Sequence, residues 1–271
     1  MLRGTERPRT RIASNLQSTI RDLQRRKARG RRKLAVIEGV RLVEEALAAG
    51  VPIRGAAVAP ELSRTGRGKA LATALASHAA QIEEVAARTF GQLAATDTPQ
   101  GIIAVVEPRA WTVADVDRGA KSGVVLVADG VQDPGNAGTL IRTAYALGAA
   151  ATIVLPGTAD PWNPKALRAA MGATFRHPVV AMDDAAFAAW TRGRGVRLWA
   201  AAADGLPLAR ALATRHEEWT AVIVGNEGAG VRPELSALSA QRVAVPLARG
   251  AESLNVAVAA GIMLYEVLRG H

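Results

Sequence analysis

The sequence predicts an α/β protein whose carboxyl-terminal half forms a mainly parallel sheet with helices on both faces. The second half of the chain alternates short β-branched runs with helix-length segments, which is the pattern of consecutive βα units. The runs are apolar throughout, as expected for strands buried on both faces. With 271 residues, 49% of them hydrophobic, the chain can also form a sizeable core.

The elements of this second domain, residues 122–271, are predicted from these runs and from their turn residues. Pro164 follows Asn163, which indicates a helix cap and a proline at the first helical position. The expected strands are residues 124–128, 152–155, 179–181, 198–202, 221–224 and 242–245. The expected helices are residues 137–147, 164–171, 184–191, 207–213, 233–239 and 254–268.

The first half predicts a smaller α/β domain over residues 34–107, joined to the second by a connector at 108–121. Strands are expected at residues 34–37, 53–59 and 102–106, and helices before Gly50 and at residues 69–79 and 89–95. A further helix is expected at residues 15–23, where Leu16, Ile20 and Leu23 have helical spacing and Ser14 could cap the first turn.

The net charge of +10 arises entirely from residues 1–33, which contain twelve Lys and Arg and two acidic residues. We interpret this basic arm as a binding surface for a polyanion, and nucleic acid in particular; the alternative is a solvated tail. The charge is densest in the segment RRKARGRRK. The predicted nucleic-acid-binding residues are Arg25, Arg26, Lys27, Arg29, Arg31, Arg32 and Lys33.

Composition excludes several classes of function. The chain has no cysteine, and its four histidines are scattered, so no metal site is expected. No window approaches the ~20 apolar residues of a membrane span, and the first residues lack an apolar signal segment, so the default expectation is a cytoplasmic protein without membrane contact. The loop after residue 128 reads DGVQDPGNAG, which is not a dinucleotide or phosphate-binding motif.

Three strand–loop–helix junctions carry the polar residues of a candidate site. They contain Asn136 and Arg142 in NAGTLIR, Glu227 in GNEGAG, and Ser253 and Asn255 in SLNVAVAAGIMLYE. The carboxyl ends of parallel strands share one edge of a sheet, so a composite site is expected there. Taken singly, each residue has a simpler interpretation. Asn136 and Ser253 could be helix caps, Asn255 a first-turn residue, and Arg142 and Glu227 solvated side chains.

Together, and in this order, the three motifs resemble the SpoU branch of the SPOUT RNA methyltransferases. The resemblance implies methyl transfer from S-adenosyl-L-methionine to ribose 2′-hydroxyls, without a metal. It implies a catalytic arginine at Arg142, with Asn136, Glu227, Ser253 and Asn255 around it. It further implies a cofactor pocket formed by Gly225, Val245, Leu247, Ser253, Leu254 and Leu155.

The resemblance also implies a carboxyl-terminal trefoil knot and a homodimer that packs through the last helix. Residues 32–45 resemble the L30e-like substrate-binding domain that often precedes this methyltransferase domain, which favours 23S ribosomal RNA as the substrate. Two alternatives stay open at this point. One is a transfer-RNA methyltransferase of the same fold, and the other is a non-catalytic RNA-binding protein.

Overall fold

The computed structural model describes residues 15–117, 120–213 and 218–269. The chain divides into two compact units. One runs to Arg109 and includes Trp162–Pro164, and the other contains the rest. The boundary between Arg109 and Ala110 falls inside the connector expected at residues 108–121.

The first unit is a four-stranded sheet with helices. The strand order is β1-β4-β2-β3, in which only β2 and β3 are parallel neighbours. The unit also has a short 3₁₀ turn at Pro60–Arg64. The helices are α1 (Leu16–Asp22), α2 (Arg26–Arg32), α3 (Val40–Ala48), α4 (Gly66–His78) and α5 (Ala87–Leu93), and the strands are β1 (Ala35–Glu38), β2 (Ile53–Val58), β3 (Ile82–Glu84) and β4 (Ile102–Val106).

The basic region, expected as an arm that contains one helix, belongs to this unit wherever it is described, and it forms two helices, α1 and α2. Leu16, Ile20 and Leu23 on α1 are fully buried and pack in one core with Phe90 and Ile103. Their helical spacing directs all three side chains to one face of α1. Ser14, the expected cap of α1, lies outside the described residues. Asn15 holds the cap position, and its Oδ1 accepts from the amides of Gln17 and Ser18.

The second unit contains the six-stranded sheet. Its strand order is β10-β8-β9-β5-β6-β7, and every neighbouring pair is parallel. The strands are β5 (Val124–Ala128), β6 (Ala151–Val154), β7 (Val179–Ala181), β8 (Arg197–Pro207), β9 (Thr220–Val224) and β10 (Gln241–Ala244), and the helices are α6 (Ala114–Asp117), α7 (Pro134–Leu147), α8 (Pro164–Ala170), α9 (Asp184–Arg194), α10 (Leu208–Leu212), α11 (Pro233–Leu238) and α12 (Val256–Leu268).

Both faces of this sheet are covered, which confirms the predicted fold class. Successive side chains of a strand point to opposite faces. Accordingly, Leu126 packs on one side with residues of α7, α10 and α12, while Val125 and Val127 pack on the other with residues of α6, α9 and α11. These two cores make a three-layer arrangement of helices, sheet and helices.

The main departure from the predicted elements is at β8, which extends to Pro207 instead of ending at residue 202. It pairs with β10 on both sides of an irregular segment, with Ala200 opposite Arg242 and Leu206 opposite Val243. Gly205 lies within this segment, and a Cβ there would be 2.7 Å from the backbone of Arg242. The trefoil knot expected in this half of the chain stays a prediction.

Neither a membrane span nor a metal cluster is seen in the part of the chain that the structure describes. No helix in residues 15–117, 120–213 or 218–269 is long and apolar enough to cross a bilayer. Across the same ranges, no three His, Asp or Glu side chains lie close enough together to hold a metal ion.

Candidate active site

The candidate site lies at the carboxyl-terminal edge of the second sheet. Strands β5, β9 and β10 run parallel, so the loops that follow them, residues 129–133, 225–232 and 245–255, emerge on the same side. Each loop leads into a helix: α7, α11 and α12. Three helix starts, whose first amides need acceptors from outside the helix backbone, therefore surround this edge of the sheet.

The first of these helices begins earlier than the sequence predicts. Pro134 occupies the first helical position and Asp133 is the cap, whose Oδ1 accepts from the amide of Asn136 at 2.9 Å. A 2.6 Å hydrogen bond from Lys165 is the main reason why the pKa of Asp133 lies below its usual value. The interpretation of Asn136 as a cap is therefore wrong. Its side chain is not engaged in capping and can bind elsewhere.

Glu227 joins the loop after β9 to the start of α7. Its carboxylate accepts from the backbone amides of Gln132 at 3.1 Å and Asp133 at 3.0 Å, and from Nδ2 of Asn136 at 3.0 Å. Partial burial would raise the pKa of Glu227, but these hydrogen bonds outweigh it and lower the pKa. Glu227 is thus a fixed anion at neutral pH and not the freely solvated side chain of the simpler interpretation.

The turn that presents Glu227 is held by its neighbours. Asn226 and Gly230 exchange backbone hydrogen bonds of 2.9 Å across the turn. The side chain of Asn226 accepts from the amides of Gly228 and Ala229 and donates to the carbonyl of Gly130. At Gly225 a Cβ would be 2.0 Å from the backbone of Gly230, so only glycine allows the turn to close at this position.

Asn255 brings the third junction to the same cluster. Its Oδ1 caps α12 by accepting from the amides of Ala257 at 2.9 Å and Val258 at 3.4 Å. Its Nδ2 donates to Oδ1 of Asn136 at 2.9 Å. The expected cap at Ser253 is wrong, because α12 begins at Val256 and Ser253 lies in the preceding loop. Glu227, Asn136 and Asn255 thus form one chain of hydrogen bonds, called here the Glu–Asn–Asn network, which connects the three junctions.

A cavity of about 370 Å³ opens beside this network. That volume is within the range of small-ligand sites. Its apolar lining includes Val224, Val243 and Met263. Among the residues that the structure describes, its charged side chains are two carboxylates, Glu227 and Glu252. The remaining lining residues are Ala201, Ala202, Ala203, Gly225, Asn226, Gly230, Val245, Leu247, Ser253, Leu254, Asn255, Val256 and Ala259.

Most of the predicted cofactor residues line this cavity. Gly225, Val245, Leu247, Ser253 and Leu254 all do so. Leu155 does not and has to be withdrawn, because it is buried in the core on the α9 and α11 face of the sheet. Residues 201–203 and Glu252 also line the cavity but are not among the residues predicted from the sequence. Residues 201–203 belong to β8, which runs parallel to the strands that lead into the site. The position of this strand beside the site could have indicated them.

Arg142 is not brought into the Glu–Asn–Asn network. It lies on α7 six residues after Asn136, which is ~9 Å along a helix axis. Its side chain is exposed, and the described part of the chain offers it no hydrogen bond or ion pair. Its guanidinium is therefore available to a bound molecule, but it does not line the cavity.

The predicted RNA-binding residues of the first unit divide into different environments. Arg29 is buried and donates to the carbonyls of Leu23 and Gln24, both at 2.9 Å, so its assignment to RNA is wrong. Arg31 and Arg32 both pair with Asp22. The four that remain are exposed and have no ion pair within the described ranges: Arg25, Arg26, Lys27 and Lys33.

Comparison with known proteins identifies both parts of the chain. The profile of the SpoU rRNA Methylase family matches residues 123–265, and that of the MRM3-like substrate binding domain matches residues 18–104. The Bacillus subtilis 23S rRNA (guanosine(2553)-2′-O)-methyltransferase RlmP is 38% identical over 249 residues, which covers 92% of this chain and 93% of that relative.

Two solved structures have the same fold over nearly the whole chain. The SpoU methyltransferase AviRb from Streptomyces viridochromogenes, in complex with the cofactor AdoMet, superposes with a TM-score of 0.81 at 26% identity and covers 95% of this chain and 98% of its own. An AdoMet-bound rRNA methyltransferase from Sinorhizobium meliloti gives a TM-score of 0.80 at 29% identity, over 96% and 97% of the two chains.

Proposed function

The chain belongs to the SpoU rRNA methylase family, and we propose that it transfers a methyl group from S-adenosylmethionine to a ribose 2′-oxygen of 23S ribosomal RNA. The observation that carries the proposal is the Glu–Asn–Asn network beside a cavity at the carboxyl-terminal edge of the sheet. This network unites the three motifs on which the family resemblance rests.

The cavity fits S-adenosylmethionine in size and in chemistry. Val224, Val243 and Met263 offer an apolar surface to an adenine ring. The cofactor carries a sulfonium and an ammonium against one carboxylate, so its net charge is positive. Glu227 and Glu252 complement that charge, and within residues 15–117, 120–213 and 218–269 no Lys, Arg or His side chain lines the cavity.

Binding and orientation would supply much of the catalysis. The bound cofactor supplies an electrophilic methyl group that is already activated by its sulfonium. The chain's own residues need only hold the ribose in line and assist loss of the 2′-hydroxyl proton. We assign the latter task to Arg142, whose charge persists at neutral pH and can stabilise negative charge on the oxygen. Asn136, Glu227, Ser253 and Asn255 would position cofactor and ribose around it.

Ribosomal RNA is the proposed substrate because RlmP, which is similar over nearly the whole chain, acts on 23S rRNA. The exposed residues Arg25, Arg26, Lys27 and Lys33 of the first unit would contribute phosphate contacts. A transfer-RNA substrate is the nearest alternative within the fold. The cavity and the network favour an enzyme over a purely RNA-binding protein, for which neither would be needed.

We also propose that the active form is a cytoplasmic homodimer that packs through α12. This helix has one apolar face in the core, through Ala260, Met263 and Leu264. A second apolar face is exposed, with Val258, Ile262 and Tyr265 at the spacing of one helix stripe. A second copy of this chain would remove that stripe from water.

Ribose-methylation mapping tests the function. RNA from a deletion strain should lose 2′-O-methylation at a single nucleotide of 23S rRNA, and the wild-type chain should restore it, whereas Arg142→Ala should not. Loss of a transfer-RNA methylation instead would show that the substrate is transfer RNA and not 23S rRNA. Full methylation of both RNA classes in the deletion strain would reject the proposed function.

A further inference from the structure

The first two helices of the first unit form a corner that is held together by a buried arginine. Arg29 on α2 donates to the carbonyls of Leu23 and Gln24, which lie in the turn between α1 and α2. Turn carbonyls that would otherwise lack a partner are thereby satisfied, and α2 is fixed against the end of α1. The corner places the last turn of α1, which contains Arg21, beside Arg25, the cap residue that precedes α2.

The single acidic residue of this corner is already neutralised. Asp22 accepts from Nε of Arg32 at 2.8 Å and from Nη2 of Arg31 at 3.2 Å. The hydrogen bond from Arg32 is the main reason why the pKa of Asp22 is lowered. Asp22 therefore stays ionised; Arg31 and Arg32 hold its carboxylate, and Arg25 attracts it without a salt bridge. Arg21 and Arg25 are exposed, and neither side chain has a hydrogen bond or salt bridge among the residues described.

A hollow of about 420 Å³ lies in the corner, and its lining is entirely polar or charged. The residues that form it are Ser18, Arg21, Asp22, Arg25 and Arg32. Two unpaired guanidiniums and a hydroxyl that face one hollow can together bind the oxygens of a tetrahedral anion. An exposed salt-bridging surface would instead show each arginine opposite its own carboxylate.

We propose that this hollow binds a backbone phosphate of the RNA substrate, with Arg21 and Arg25 as the direct ligands and Ser18 as a hydroxyl donor. The proposal rests on the proposed function for the identity of the RNA and adds a specific phosphate site to it. Arg32 holds Asp22, and Arg29 holds the corner, so these two arginines are positioning residues. Phosphate contacts of this kind fix the register of an RNA on a protein without reading its bases.

The test is the salt dependence of RNA binding by the full chain. Filter binding of a 23S rRNA transcript should be measured for the wild type and for the double variant Arg21→Gln/Arg25→Gln. Loss of this one phosphate contact should reduce the slope of log affinity against log salt by about 0.7–0.9. Between ~50 and ~200 mM salt, the wild type should then lose about threefold more affinity than the variant.

The matched control is Arg41→Gln/Lys69→Gln, which removes the same charge from exposed positions of α3 and α4 in the same unit. This control should keep the wild-type slope. An unchanged slope in the Arg21→Gln/Arg25→Gln variant, or an equal change in the control, would overturn the phosphate site. Both double variants should retain the wild-type circular dichroism and S-adenosylmethionine affinity.

A calorimetric titration with inorganic phosphate distinguishes the source of the anion. Weak or absent binding of free phosphate, together with the altered RNA slope, supports an RNA phosphate. Saturable binding of free phosphate with an unchanged RNA slope would overturn the RNA assignment. Methylation of the same transcript by the wild type is measured in parallel. Absence of methylation with an altered slope would reject the proposed function and leave the phosphate site intact.

Discussion

Replacement of Asn255 by aspartate should separate the two roles of this side chain. In the structure, Oδ1 of Asn255 caps α12 while Nδ2 donates to Asn136. Aspartate caps a helix as well as asparagine does, so the cap should survive. The donor is lost, and two oxygens then face each other within the Glu–Asn–Asn network, close to the charge of Glu227.

The expected cost follows from these contacts. A neutral hydrogen bond contributes ~0.5–1.5 kcal/mol, and a screened like-charge interaction near the surface adds ~0.5 kcal/mol. A favourable interaction of the new carboxylate with the helix dipole offsets ~0.3–1 kcal/mol. Asn15→Asp is the matched control. Asn15 caps α1 through the same pair of distances, 2.9 and 3.4 Å, but belongs to no network.

Urea unfolding followed by circular dichroism measures both variants. Because the dipole gain is common to them, the difference between Asn255→Asp and Asn15→Asp isolates the bridge to Asn136 and should be about 1–2 kcal/mol. The kcat/KM of Asn255→Asp should fall by at least about tenfold, and that of Asn15→Asp should not change. Equal stability of the two variants would refute the bridging role. In an Asn136→Ala background, Asn255→Asp should cost no further stability.

Three further predictions concern other parts of the molecule. Arg142→Ala should abolish methyl transfer but leave S-adenosylmethionine affinity within several-fold by calorimetry; normal turnover would remove Arg142 from the mechanism. Burial lowers the pKa of His177 to about 4 from 6.5, so the folded protein binds this proton less readily than the unfolded chain does. The free energy of unfolding should therefore be highest above pH 6.5 and should fall by up to ~3 kcal/mol as the pH is lowered to 4. His177→Gln should flatten that part of the urea-unfolding pH profile, and a profile identical to the wild type would refute this cause. Ile262→Asp should give a monomer by sedimentation at micromolar concentration, whereas Leu238→Asp, which also removes an exposed leucine-sized side chain, should not; a wild-type monomer would refute the dimer itself.

The sequence predicted the regular elements well wherever a strand is buried on both faces. Residues 124–128 form β5 with the expected bounds because five consecutive apolar residues leave no other arrangement in a covered sheet. It failed at helix starts. The Asp133–Pro134 pair is a stronger start signal than Asn136, and Asn255 rather than Ser253 caps α12. Local capping preferences do not determine which of several neighbouring residues caps a helix, because hydrogen bonds to other parts of the fold also stabilise one cap over another.

The members of the candidate site were predictable, but their connections were not. Asn136 is 91 residues from Glu227 and 119 residues from Asn255 along the chain. The motifs indicated that these side chains meet, but not which atom donates to which. The charge density of the basic segment led to a wrong prediction for Arg29, which is buried in the structure and is not available to RNA. The sequence of a basic segment does not indicate which of its side chains is buried and donates to backbone carbonyls.

The structure also changes how the basic region should be tested. Removal of residues 1–33 would delete Leu16, Ile20 and Leu23 from the core of the first unit, so weaker RNA binding after truncation would report unfolding as well as lost charge. Each deletion of a large buried side chain costs ~2–5 kcal/mol, and three together exceed what a small unit can lose. Substitution of exposed arginines on the intact chain avoids this problem.

Methyl transfer to a ribose is tested by locating the transferred methyl group on the RNA. The purified wild-type chain is incubated with 23S rRNA and S-adenosylmethionine that carries a deuterated methyl group, and the digested nucleosides are analysed by mass spectrometry. Label is expected on the ribose of one nucleoside and should be absent from a parallel reaction with Arg142→Ala. Label on a base, or no label on either 23S or transfer RNA, would contradict methyl transfer to a ribose.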